Sequence, residues 1–264
     1  MKKTLLLLTV GLLAYACAKV PLTGRMQLAV VSNEEIMPLV NEQYEKTKTE
    51  YKVLTDSEKG QMVVSVGKNM AEAVEEYLIS EGYQSLVDDF DWEFNLLESN
   101  QVNAWCMPGG KVAFYTGILP ICEDEAGIAV VMGHEIAHAV ASHSRERMSN
   151  GLMLNFGISA MSTAMGQNPT LTEQILLQSV GMGSELGMLS FSRKHELEAD
   201  EMGLIFMAMA GYDPRMAPVF WERMSAKSSG QAPPEFLSTH PGPDRRIERL
   251  NAKMPEALEY YKKQ

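Results

Sequence analysis

From Glu123 to Met148 the chain reads EDEAGIAVVMGHEIAHAVASHSRERM, and between Ile128 and Ala141 nearly every position is apolar or small. A helix with no polar face is buried on all sides. Acidic residues open the stretch and His143, Arg145 and Arg147 close it, the charge order a helix dipole favours. The pattern therefore predicts one helix over 123–148, in which His143 serves as a partner for the C-terminal dipole. Upstream, Ser32 or Asn33 caps a helical pattern running through Leu39, Tyr44 and Tyr51. Ser57 starts a second, with Met62, Val63, Val66, Met70, Val74 and Leu78 at three- and four-residue spacings, ended by Gly82 and Tyr83.

From Asp91 the period changes to two: Trp92, Phe94 and Leu96 alternate with polar residues and predict a strand. Asn103 to Ile118 reads as two short strands joined at Pro108-Gly109-Gly110. Lys111 to Thr116 is expected as an edge strand just before the long helix, its unpaired backbone groups available to an extended peptide. The Gly-, Met-, Ser- and Leu-rich stretch 150–189 reads as a lid or a packed helical pair, too short in its apolar part to span a bilayer. A further helix is predicted over Phe191 to Gly211, stopped by Gly211 and Asp213-Pro214.

Polar groups in the buried helix are costly unless something satisfies them. His134 and His138 are four apart and so project about 40° from one another, on one face. Two imidazoles so placed can hold one Zn²⁺, with Glu135 about 100° round, in reach of an attacking water. The plainer reading is a pair of core histidines bonded to backbone or carboxylate. The later helix carries Glu196 and Asp200, again four apart on one face. Glu196 supplies the carboxylate that a His₂Glu zinc site needs. Asp200 is placed to accept the second N–H of a ligating histidine and fix its tautomer. A third histidine six residues after the second is not present, since Ser144 holds that place. His195 and Glu198 are the alternatives to Glu196.

The net charge of −11 argues against nucleic acid as a partner. Lys2 and Lys3, the apolar run Leu5 to Leu13 and the small residues before Cys17 read as a signal peptide over 1–16. The run LAYAC resembles a bacterial lipoprotein signal, which makes Cys17 the acylated residue, with ordinary cleavage after Ala16 as the alternative. Acyl chains contribute about 0.8 kcal/mol per buried methylene, so two or more would anchor the protein to a membrane. Residues 17–32 are then a tether, 33–254 a single catalytic domain and 255–264 a tail. Cys106 and Cys122, with a strand between them, are expected as two buried thiols.

HEIAH, the preceding NAWCMPGGKVAFYTGIL, the later SRKHELEAD and STHPGPDRRI near the end occur in that order. In this the chain resembles the zinc endopeptidases related to HtpX and the CAAX prenyl proteases, and within them the LoiP-like periplasmic lipoproteins. The resemblance implies an α+β, mainly helical gluzincin-type metalloprotease with a small sheet and an edge strand beside the HExxH helix. It implies His134, His138 and Glu196 as ligands of Zn²⁺, Glu135 as general base and Asp200 behind the ligands. It also draws His240 and Arg246 into the catalytic group, His240 close to the metal as a latent cap or an assistant to the reaction. By the same analogy the substrates are unfolded or misassembled envelope proteins. The protein is then a quality-control protease and outer-membrane lipoprotein facing the periplasm. Two rivals are a chaperone-like binder of envelope proteins with a latent zinc site, and a zinc hydrolase that cleaves other than peptides.

Overall fold

A computed structural model describes residues 17–152, 192–228, 236–237, 240 and 245–262 of the chain. The signal-peptide reading of 1–16 and the lid reading of 153–189 lie outside the described residues. The segment expected as a tether folds instead as an antiparallel ribbon, β1 (Cys17–Lys19) against β2 (Met26–Leu28), with Val20 fully buried beside it. Cys17 is exposed at its start.

Helix α1 (Asn33–Glu50) begins with a reciprocal cap: Ser32 Oγ accepts from the Glu35 N–H, and the Ser32 N–H donates to Glu35 Oε2 at 2.9 Å. Helix α2 (Glu58–Ser80) starts at Ser57, whose hydroxyl accepts from the Gly60 N–H. The three-stranded sheet follows, in the order β3 (Glu93–Leu97), β5 (Lys111–Tyr115), β4 (Ala104–Met107). β5 runs parallel to β3 and antiparallel to β4. The expected edge strand is thus misplaced by one: Lys111 to Tyr115 sits in the centre, and the open edge beside the HExxH helix is β4. The turn between them requires φ near +75° at Gly109 and +84° at Gly110, a conformation with no steric cost for glycine.

Both faces of the sheet are covered. Val112 and Phe114 of β5 join the main core with α2, while Ala113 and Tyr115 face Tyr44, Val40 and Ile36 of α1. The HExxH segment forms α3 (Glu125–Val140), capped by Asp124 and buried at every position from Gly127 to His138. It does not continue to Met148. At Ser142 the chain takes φ +52°, and residues 143–152 form a separate helical run. α4 (Arg193–Met209) ends at Gly211, and α5 (Met216–Ser228) and α6 (Arg246–Tyr261) complete the described helices. α6 runs past residue 254, so the expected tail is part of a helix. No described helix is long and apolar enough to cross a membrane.

α3 and α4 pack most closely against one another, and they cross at two glycines. A Cβ on Gly133 would lie 2.7 Å from Gly203 O, and one on Gly203 would lie 2.7 Å from Gly133 C and 2.8 Å from His134 N. Backbone touches backbone there. That contact brings the HExxH face of α3 and the ExxxD face of α4 within reach of each other.

Candidate metal centre

On the shared face, His134 and His138 turn their Nε2 atoms to a common point, 3.1 Å apart. Glu196 of α4 completes the group from the opposite wall. Its Oε1 is 3.4 Å from His138 Nε2 and its Oε2 is 3.6 Å from His134 Nε2. His240 adds Nδ1 at 3.1 Å from both His134 Nε2 and Glu196 Oε1. One atom from each of these four buried residues lies within 4.8 Å of all the others, so the group could hold a metal ion. Ligands about 2.0–2.1 Å from a tetrahedral zinc ion are roughly 3.3 Å from one another, and the observed spacings bracket that value. The residues therefore fit the ion in number, chemistry and spacing.

Asp200 holds the back of His134, its Oδ1 2.9 Å from Nδ1. With Nδ1 bonded to that carboxylate, Nε2 is the nitrogen left to offer a lone pair to an ion at the common point. Burial opposes protonation of His134, but hydrogen bonds that its ring makes to Asp200 and Glu196 outweigh it and lift its pKa to about 9. His138 goes the other way, driven well below the usual value by burial. Burial also opposes the Glu196 carboxylate, yet the His240 charge and the bonds from His134, His138 and His240 hold it well below the usual range.

Glu135 lies beside the group. Its Oε2 accepts from the Cys106 N–H of β4 at 3.1 Å. Its Oε1 is buried with no hydrogen-bond partner among the described residues, and His240 Nε2 stands 3.5 Å away. Burial raises its pKa, so it holds a proton more readily than an exposed glutamate. Arg246, without the fold a helix-surface charge, is fully buried. Its guanidinium pairs with Glu196 Oε2, places Nε 2.9 Å from Asp200 Oδ2, and lies over the Trp221 ring at 3.9 Å. His240 stacks on Phe236, whose N–H donates to Val102 O just ahead of β4.

The fold brings together all seven site residues singled out on α3, α4 and the THPGPDRRI segment; Cys17 lies apart on the N-terminal ribbon. The alternative ligands, His195 and Glu198, stay outside the group. Glu198 nonetheless has a partner that the sequence reading missed. His143 is buried rather than at a dipole end, with Nδ1 2.9 Å from His138 Nδ1 and Nε2 3.0 Å from Glu198 Oε2. Burial drives the His143 pKa to about 4, leaving the ring neutral. Glu198 in turn accepts from Thr23 Oγ1 and Arg25 Nε, each at 2.6 Å. The one signal for this group was a third histidine close behind HExxH. The helical periodicity pointed it away because nothing marked Ser142 as a break. Cys106 and Cys122 are buried free thiols, as expected.

A sequence profile described as peptidase family M48 matches residues 68–254. The chain is similar to mitochondrial metalloendopeptidase OMA1 of Schizosaccharomyces pombe, 37% identical over 173 residues, 65% of this chain and 49% of that protein. It is similar to the mitochondrial metalloendopeptidase OMA1 of Bos taurus, 34% identical over 248 residues, 90% of this chain and 46% of that one. The beta-barrel assembly-enhancing protease of Escherichia coli (strain K12) is 30% identical over 166 residues, 59% of this chain and 33% of that protein. The chain spans about half or less of the length of these relatives. The family-level resemblance holds, although these relatives are not the HtpX- and LoiP-like proteins that the motifs suggested. The expected address, a bacterial outer-membrane lipoprotein facing the periplasm, is overturned by the mitochondrial relatives.

Proposed function

The chain belongs to peptidase family M48, a family of zinc-dependent metallopeptidases, and from that premise we propose that it cleaves internal peptide bonds of unfolded or misassembled proteins. His134, His138 and Glu196 are the proposed zinc ligands, and the observation that carries the reading is their convergence with the buried Glu135 carboxylate beside them. Zinc at such a site supplies Lewis-acid polarisation of a carbonyl and lowers the pKa of water to about 7.

The chain's own residues do the rest. Glu135 Oε1 takes the proton of the attacking water, and the carboxyl later passes it to the leaving amine. A pKa raised by burial suits a group that must hold that proton between the two steps. Among the described residues β4 pairs with β5 alone, and its other side faces α3, so an extended substrate strand can add there, close to Glu135. Cys106 N–H then has two competing acceptors, Glu135 and a substrate carbonyl. Arg246 fixes the Glu196 and Asp200 carboxylates against one another. His240 covers the group as a cap, held by the backbone bond from Phe236 to Val102 at the entrance to β4. A strand docking on β4 would disturb that bond, which offers a route from substrate binding to uncapping.

Extended, unfolded segments are the substrate class such an edge accepts. The name of the Escherichia coli relative, with its reference to β-barrel assembly, supports misassembled β-barrel proteins as clients. A protein that only held such clients would need no general base beside its metal, which favours the protease over the chaperone-like reading. The full chain should cleave unfolded casein, stop on chelation and recover with zinc. Glu135→Gln should keep its zinc and lower turnover by about 10²–10⁴-fold. Cleavage at the parent rate by this variant would overturn the assignment.

A further inference from the structure

His143 and Glu198 belong to neither the HExxH nor the ExxxD pattern, yet both are buried and bonded in line behind His138. The proton positions follow from the geometry. If Nε2 of His138 is to offer a lone pair to an ion at the point it shares with Glu196, its Nδ1 carries the hydrogen and donates to His143 Nδ1. His143 Nε2 then carries a hydrogen and donates to Glu198 Oε2. Each ring has one defined tautomer, and the line ends on a carboxylate.

That carboxylate is fixed from outside the matched family region of 68–254. Thr23 Oγ1 donates to its Oε1 and Arg25 Nε to its Oε2, both from the loop between β1 and β2. The Arg25 guanidinium also grips Glu146, with Nη1 and Nη2 at 2.8 and 2.7 Å from its two oxygens. Glu146 meets His195 Nε2 at 3.2 Å, and the His195 ring stacks on His143 at 4.4 Å. Carboxylates bonded to the rear nitrogen of a ligating histidine orient the ring and raise its basicity.

We propose that His143, Glu198 and the Thr23–Arg25 loop are positioning residues for the metal, forming a carboxylate–histidine–histidine line that orients His138 and makes the N-terminal ribbon part of the centre. This rests on the reading of His138 as a zinc ligand. The test is the apparent zinc affinity of the full chain, by competition with a chromophoric chelator, alongside the unfolding midpoint of the metal-free protein. Glu198→Gln and His143→Leu are expected to weaken zinc binding by about 10–100-fold. His143→Asn, whose side-chain oxygen can still accept from His138, should recover much of the loss. Arg25→Met and Thr23→Val should weaken binding by less, in that order.

Parent affinity in both Glu198→Gln and His143→Leu would overturn the proposal. So would an equal loss in the Leu and Asn variants, which would assign His143 to packing alone. If the Leu variant fails to fold, the near-isosteric Glu198→Gln decides. His138→Ala separates the two readings: parent affinity there would bring down the metal site itself, whereas loss there with intact binding in the others would bring down only the line behind it.

Discussion

His134 and His138 leave the same face of one helix a single turn apart, and they are steadied by different means. Behind His134 stands a carboxylate in direct contact, Asp200, itself paired with a buried arginine. Behind His138 stands a neutral ring, and only behind that a carboxylate, whose cation comes from the N-terminal ribbon. The contrast shows up in the proton affinities: His134 rises to about 9, while burial drives His138 well below its usual range. The first support uses only residues of the matched family region, on α3, α4 and α6. The second reaches outside it to the N-terminal ribbon.

Removing Arg246 should strike the His134 side hardest. Arg246→Met removes the buried guanidinium that pairs with both Glu196 and Asp200, which should destabilise the metal-free protein by about 3–5 kcal/mol. Denaturant unfolding reads this directly. A change below 1 kcal/mol would mean that the two carboxylates do not depend on Arg246. Gly203→Ala should affect both rings together, because a Cβ 2.7 Å from Gly133 C must push the helices apart. Overpacking of this kind costs about 1–3 kcal/mol, and zinc content should fall with it. Full zinc occupancy in that variant would separate the helix spacing from the centre.

The smallest effect belongs to the far end of the His138 line. Glu146 is held down to about 2: burial opposes this, but the His195 hydrogen bond and the Arg25 pair outweigh it. A depressed carboxylate stabilises the fold above its unfolded pKa of about 4.3, and that contribution disappears as pH falls toward about 2. The stability gap between parent and Glu146→Gln, measured in urea with chelator present, should be level above about pH 5 and shrink toward zero near pH 2. A gap constant across that range would remove the ion pair from the account.

The same contrast explains what was legible in the sequence. His134, Glu135 and His138 declare themselves by polarity in an apolar helix, and Glu196 and Asp200 by the four-residue spacing that gives them one face. Both statements need only helical geometry. His143 needed something else, a turn at Ser142 with φ +52°, which serine does not advertise and which sends the ring inward instead of round the helix. Thr23 and Arg25 are 175 and 173 residues from Glu198, so no local pattern links them. The three sheet strands were legible, the first from its period of two and the others from the Pro108-Gly109-Gly110 turn between them, but not their order. Alternation fixes which side chains share a face, and says nothing about which neighbour a strand lacks. Arg246 was visible only through family resemblance, since a guanidinium earns a buried place by the partners that it meets.

Where α3 crosses α4, two hydrogen atoms stand in for side chains. The distance from the paired imidazoles to Glu196 is thereby set by main chain rather than by the reach of flexible groups. Residues elsewhere in the core can exchange bulk with their neighbours. At 133 and 203 there is nothing to exchange with, so the gauge of the centre is written into two positions that carry no chemistry of their own.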